Sequence, residues 1–223
     1  MEDFEQARTR MVIAQVQPND VSDPRLLAAL LEIPRERFVP ASRRAIAYID
    51  EDVLLKPADG RNPARYLMEP MPFAKLVQLA DILPADLVLD IGCGTGYSSA
   101  VLSRLADSVV ALECDEELAA AANETLPELE IGNVAVVTGP LNQGYPEEGP
   151  YDAIVLNGAV SQVPEALFEQ LKEGGRLVAI LVEEGRSQAW LFTRHGGRAT
   201  GRPASNASAK PLPGFAREEG FVF

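Results

Sequence analysis

The sequence has only one histidine, His195, and two cysteines, Cys93 and Cys114. One histidine leaves little scope for a histidine metal site or a Ser-His-Asp triad, and no metal is expected. Two cysteines outside any C-x-x-C pair make no disulfide framework. No apolar run approaches the ~20 residues that span a bilayer. The first ten residues, MEDFEQARTR, are charged and polar, unlike a signal peptide. Basic residues are also scarce: 20 stand against 33 acidic ones, for a net charge of −13. That argues against a general nucleic-acid or anionic-membrane binder. The expectation is a soluble cytoplasmic protein of one domain, with 47% apolar residues to build its core.

What is present centres on 87–99, LVLDIGCGTGYSS. Leu87 to Ile91 is apolar except for Asp90, and reads as a strand buried on both faces of a parallel sheet. Gly92, Gly94 and Gly96 follow as G-x-G-x-G, and Tyr97 to Leu105 carries apolar residues at helical spacing. Strand, glycine turn and helix make a nucleotide-binding βα unit. Its glycines let the backbone turn sharply and let a ligand come close. The dinucleotide fingerprint G-x-G-x-x-G would place its third glycine at Tyr97. Here that glycine comes one residue early, and Asp90 precedes the first glycine by two. A carboxylate there suits a cationic ligand end better than a pyrophosphate.

Periodicity places helices over 3–16, from Asp23-Pro24 to Pro34, over 41–48 and over 71–83. A short strand fits 52–57, and 58–70 reads as a loop. Strands follow at 108–113, 133–139, 151–158 and 176–182. A helix runs from Asp115, and another over 164–175 is closed by glycine. Strands alternating with helices imply a parallel sheet with helices on both faces. Beyond 183, residues 188–197 read as a strand ending in a glycine turn and 201–215 as a mobile loop. GFVF (220–223) reads as a closing edge strand.

Four separate stretches, in order, resemble the protein-L-isoaspartate O-methyltransferase family. They are NDVSDPRLLAALLEIPRERFVP (19–40), AYIDEDV (47–53), VLDIGCGTGYSSAVLSRLA (88–106) and YDAIVLNGAVSQVPEALFEQLKEGGRLV (151–178). The resemblance implies an α/β, Rossmann-like class I methyltransferase with a mostly parallel seven-stranded sheet and an N-terminal helical extension. The extension and lid would be 1–70, the cofactor-binding core 71–182, and the C-terminal strands 183–223. S-adenosylmethionine would be the cofactor. Asp90 with Gly92, Cys93, Gly94, Gly96 and Tyr97 would hold its methionine end, and Glu113 with Cys114 its ribose. Pro140, Leu141 and Asn157 would complete the site. The implied reaction methylates the carboxylate of isoaspartyl residues in damaged proteins. That oxygen is already ionised, so positioning matters more than a strong base.

The chain departs from the family pattern in three places. The family's G-x-G-Q-T-I-S-Q-P becomes a stretch ending Tyr66-Leu67-Met68-Glu69-Pro70, so Met68 and Glu69 stand at the serine and glutamine of the lid. A thioether cannot donate a hydrogen bond, and an ionised Glu69 would repel a carboxylate substrate unless Arg61 or Arg65 paired with it. The family's G-D-G becomes Gly139-Pro140-Leu141, which removes an aspartate from the adenine amine and leaves Asn142 or Gln143 as substitutes. The third departure is NGAVSQVP (157–164) in place of T-A-A-x-x-x-V-P. Two readings stay open: an isoaspartyl methyltransferase with an altered lid, or a methyltransferase scaffold that methylates another acceptor or only binds ligand. The glycine spacing speaks against a third, an NAD-dependent oxidoreductase.

Overall fold

The structure, a computed structural model, describes residues 3–60 and 62–216. Arg61 and the expected edge strand at 220–223 lie outside the described residues. Two short strands, β1 (Val53–Lys56) and β2 (Arg65–Leu67), form an antiparallel hairpin. The main sheet holds β3 (Leu87–Ile91), β4 (Ser108–Glu113), β5 (Val134–Thr138), β6 (Tyr151–Val160), β7 (Leu171–Glu183), β8 (Arg186–His195) and β9 (Arg198–Asn206). Their spatial order is β5-β4-β3-β6-β7-β8-β9. The first five in that order are parallel, and β8 and β9 add an antiparallel meander.

The chain steps outward from β3 through β4 to β5, then returns to the other side of β3 as β6. In an open α/β sheet, the crevice beyond the carboxyl ends of the strands at such a reversal is where ligands bind. Val88 packs into a core shared with helices α1 (Phe4–Met11), α2 (Pro24–Glu32), α3 (Pro70–Ala80), α4 (Tyr97–Leu102) and α5 (Glu116–Glu128). Leu89 and Ile91 point to the opposite core, with Leu167 of the short α6 (Glu165–Glu169) and with Leu212 and Phe215. Both faces of β3 are covered, so its sequence shows no polar alternation. Among the described residues no helix is long and apolar enough to cross a membrane.

Several local expectations are corrected. The loop at 58–70 contains β2. The first helix passes into a π-helical turn at Val12–Val16, and 41–46 is 3-10 helix. The helix expected to Leu83 ends at Ala80, because Asp81 turns left-handed at φ 47°. The helix expected over 164–175 is α6, five residues long. Tyr151 takes the Gln170 carbonyl at 2.8 Å and pairs with Leu171, which draws the chain into β7. The glycines at 174 and 175 therefore lie inside a strand. The stretch from 201 is β9, not a loop, up to Asn206. Its polar residues and Pro203 suit an outermost strand, which presents one edge to solvent.

The N-terminal layer is tied to the sheet by a buried cation. Asp23 caps α2 by accepting from the Arg25 amide at 2.8 Å, and Leu26, Ala29 and Leu30 form its buried face. Arg35, fully buried, donates to the carbonyls of Ala47 (2.7 Å) and Met68 (2.6 Å). Its guanidinium also lies 4.9 Å from the centroid of the Tyr97 ring, at the start of α4. Arg35→Leu removes two charge-assisted bonds and strands two carbonyls, so it is expected to cost about 3 kcal/mol or more. Urea unfolding checks this: the midpoint falls while the slope is unchanged.

Candidate active site

Two fully buried carboxylates end adjacent strands beside the glycine turn, Asp90 on β3 and Glu113 on β4. Asp90 accepts from the hydroxyls of Ser98 (2.7 Å) and Ser99 and from the Asn157 amide. Both serines belong to the first turn of α4, so the glycine turn brings that helix onto the acid. Burial pushes the Asp90 carboxyl up to about 6. The nearby Glu113 charge pushes the same way, and the three donors pull against it.

Glu113 has a denser shell. Oε2 accepts from the Gly94 amide at 2.8 Å, and Oε1 from the amides of Cys114 (2.8 Å) and Asp115 (3.1 Å). The Arg65 guanidinium grips both oxygens, with Nη2 2.9 Å from Oε2 and Nη1 on Oε1. Burial opposes the Arg65 charge, and Glu113 outweighs that penalty, leaving its pKa raised. Burial also holds the Cys93 thiol well above its ordinary value and pushes Cys114 up to about 11. Neither cysteine is a nucleophilic thiolate at neutral pH. Among the described residues, no group of three or more His, Cys, Asp or Glu could hold a metal ion.

The structure brings together Asp90, Gly92, Cys93, Gly94, Glu113, Cys114 and Asn157. Tyr97 and Met68 line a small cavity with Gly92, Cys93 and Asn157. A Cβ on Gly96 would lie 3.1 Å from that of Ala122, so this glycine serves close packing against α5. Tyr97 sits in the core, its ring centroid 5.7 Å from those of Phe38 and Phe73. Leu141 is buried on the far face of the sheet, while Pro140 is exposed on a groove of ≈540 Å³ that it shares with Gln143 and Glu169. Met68 is buried. The Glu69 amide donates to Asp52 at 2.9 Å. Burial, then the charges of Asp50 and Asp52, raise the Glu69 carboxyl. The expected pairing of Arg65 with Glu69 is replaced by its pairing with Glu113.

Sequence reasoning missed four contributors. Ser98 and Ser99 carried a signal, being hydroxyls in the first turn after the glycines. Leu55 and Leu212 carried none. A Cβ on Gly92 would lie 2.7 Å from Leu212 Cδ2, and one on Gly94 would lie 2.9 Å from Leu55 Cδ1. These side chains fill the hollows over the turn. Among the described residues, two cavities of ≈10 Å³ each lie beside Met68 and Asn157, one of them also lined by Arg65. Small-molecule sites usually measure ~300–1,000 Å³.

The chemistry of the donor set fits the cofactor implied by the sequence. Asp90 and the Asn157 Oδ1, a buried atom with no hydrogen-bond partner among the described residues, are acceptors for an ammonium. Glu113 is an acceptor for a ribose diol. The volume between them is occupied by Leu55, Arg65 and Leu212.

The raised Asp90 pKa has a thermodynamic sign. Between about 4 and about 6 the folded chain holds a proton that the unfolded chain has lost, so this group's contribution to stability falls as pH rises through that window. Asp90→Asn removes the titration. Its stability relative to the natural chain is expected to improve from pH 4 to pH 6 and stay level above pH 7. Urea unfolding across that range measures it.

The sequence model for "Protein-L-isoaspartate(D-aspartate) O-methyltransferase (PCMT)" matches residues 7–206. Protein-L-isoaspartate O-methyltransferase 2 of Anaeromyxobacter sp. (strain Fw109-5) is 39% identical, over 82% of this chain and 73% of its own. Protein-L-isoaspartate O-methyltransferase of Koribacter versatilis (strain Ellin345) is 34% identical over 93% and 90%. A solved protein-L-isoaspartate O-methyltransferase superposes with a TM-score of 0.79 at 31% identity, covering 93% of this chain and 66% of that one. A Plasmodium falciparum β-aspartate methyltransferase, crystallised with S-adenosyl-L-homocysteine, shares the fold at 18% identity, with a TM-score of 0.74 over 95% and 99% of the two chains. By the extent of these matches, this chain belongs to the protein-L-isoaspartate(D-aspartate) O-methyltransferase family.

Proposed function

We propose that the crevice at the ends of β3, β4 and β6 holds S-adenosylmethionine and that the chain methylates isoaspartyl carboxylates in proteins or peptides. The observation that carries this reading is the pair of buried acids, Asp90 and Glu113, flanking Gly92 and Gly94. Membership of a family of S-adenosylmethionine-dependent methyltransferases supports it. When bound, the cofactor supplies an electrophilic methyl group on a sulfonium centre.

In this reading Asp90 and Asn157 Oδ1 accept from the ammonium of the methionine end, and Glu113 accepts from the ribose hydroxyls. The acceptor carboxylate is ionised at neutral pH, so no side chain needs to remove a proton. The work of the protein is orientation and exclusion of water. Arg35 supports this by fixing the Met68 carbonyl, and with it the lid backbone. Met68 adds apolar cover and no donor. Glu69, Asp50 and Asp52 form an acidic rim that weakens binding of an anionic acceptor.

The test is transfer of labelled methyl groups to an isoaspartyl peptide and to its aspartyl counterpart, at saturating cofactor. Label on the isoaspartyl peptide alone is expected, and no label on either overturns the reading. In the same assay Glu69→Gln is expected to lower KM for the peptide about fivefold with kcat little changed. That corresponds to about 1 kcal/mol, the interaction of unit charges ~8 Å apart at an effective dielectric of about 40.

A further inference from the structure

The hairpin β1–β2 places Lys56 directly opposite Arg65. Like charges facing each other across a strand pair repel. Each is matched by an acid on the turn from β4 to α5. Arg65 grips Glu113, while Lys56 Nζ lies 2.7 Å from Asp115 Oδ2 and 3.0 Å from Glu117 Oε2. The residue beside Lys56, Leu55, fills the hollow over Gly94. From the other side, Leu212 covers Gly92 and Gly158, held by the reciprocal backbone bonds of Ala159 with Lys210 and Leu212, both 2.9 Å.

The acceptor count on Glu113 decides what this closure does. A carboxylate offers about four lone-pair sites. Glu113 already receives two bonds from Arg65, one each from the amides of Gly94, Cys114 and Asp115, and a long one of 3.4 Å from the Cys114 thiol. The three amides belong to the glycine turn (Gly94) and to the β4–α5 turn (Cys114, Asp115), neither part of the hairpin, and stay. The carboxylate is thus saturated, and two ribose hydroxyls can join its shell only in place of the two bonds from Arg65.

We propose that Arg65 is an internal competitor for the ribose site, so that cofactor binds only when the β1–β2 hairpin lifts from the β4–α5 turn and Arg65 releases Glu113. This rests on the cofactor reading given under Proposed function. Closure lowers the apparent affinity by the fraction of molecules that are open: a chain that is open about one time in ten binds about tenfold more weakly than its intrinsic constant. The carboxylate that would recognise the ligand is also the clasp that excludes it. The ligand class is a nucleoside with a free 2′,3′-diol and a cationic amino-acid end.

Calorimetry with S-adenosylhomocysteine tests this on the natural chain, Arg65→Gln, Arg65→Ala and Lys56→Ala. Arg65→Gln keeps one donor for Glu113, which guards against loss of the fold, and circular dichroism verifies it. Both Arg65 variants are expected to bind about tenfold tighter or more, including binding seen only in the variants. Lys56→Ala, which loosens the hairpin without touching Glu113, is expected to tighten binding less. If the natural chain binds and folded Arg65→Gln binds equally or more weakly, Arg65 is no competitor and the proposal falls while the cofactor reading stands. If all four proteins are folded and none binds at millimolar ligand, the cofactor reading itself falls, and this proposal with it.

Discussion

The carboxylate of Glu113 has no exposure to solvent, and a buried charge must be matched where it lies. Three amides and the Cys114 thiol of its own neighbourhood supply part of that match, and the Arg65 guanidinium supplies the matching charge. Removing one partner of such a pair typically costs about 3–5 kcal/mol, because the other is left uncompensated. That dependence fixes the β1–β2 hairpin, remote in sequence, against the end of β4. The lid follows, because Met68 directly succeeds β2 and its carbonyl is held by Arg35. Arg35 in turn reaches Tyr97 and the helix that carries Ser98 and Ser99. One buried charge thus sets the position of three segments around the crevice.

Asp90 is buried as deeply but solved differently. Its partners are two hydroxyls and an amide, all neutral, so desolvation keeps its pKa raised to about 6. Of the two acids, Glu113 is neutralised from within, while among the described residues Asp90 has no ion-pair partner and the adjoining Asn157 Oδ1 has no hydrogen-bond partner. This asymmetry fits a ligand with its positive charge at one end and neutral hydroxyls at the other. It also separates two requirements for binding: space over the glycine turn, and release of Glu113.

Much of this was legible in the sequence because it is local. A run such as LVLDI followed by spaced glycines dictates a strand and a turn by sterics alone, and Asp23-Pro24 starts a helix by capping geometry. The acids at the ends of β3 and β4 could be placed because strand ends are set by those same local rules. What failed to show was non-local. The helix expected over 164–175 loses its second half because Leu171 pairs with Tyr151 in the sheet. Residues 201–206 have the composition of a loop but lie on an open sheet edge that pairs with them. Arg65 looked like a partner for nearby Glu69, yet low dielectric makes the deeper carboxylate the stronger attractor. Leu55 and Leu212 are unremarkable in sequence; only the fold lays them over Gly94 and Gly92.

A crystal structure of the chain with S-adenosylhomocysteine tests the central claim most directly. The account predicts the ribose hydroxyls on Glu113, the ammonium on Asp90, and the Arg65 guanidinium withdrawn from the carboxylate with Leu55 lifted off Gly94. A bound ligand that leaves the Arg65–Glu113 pair intact and seats its ribose elsewhere would contradict it.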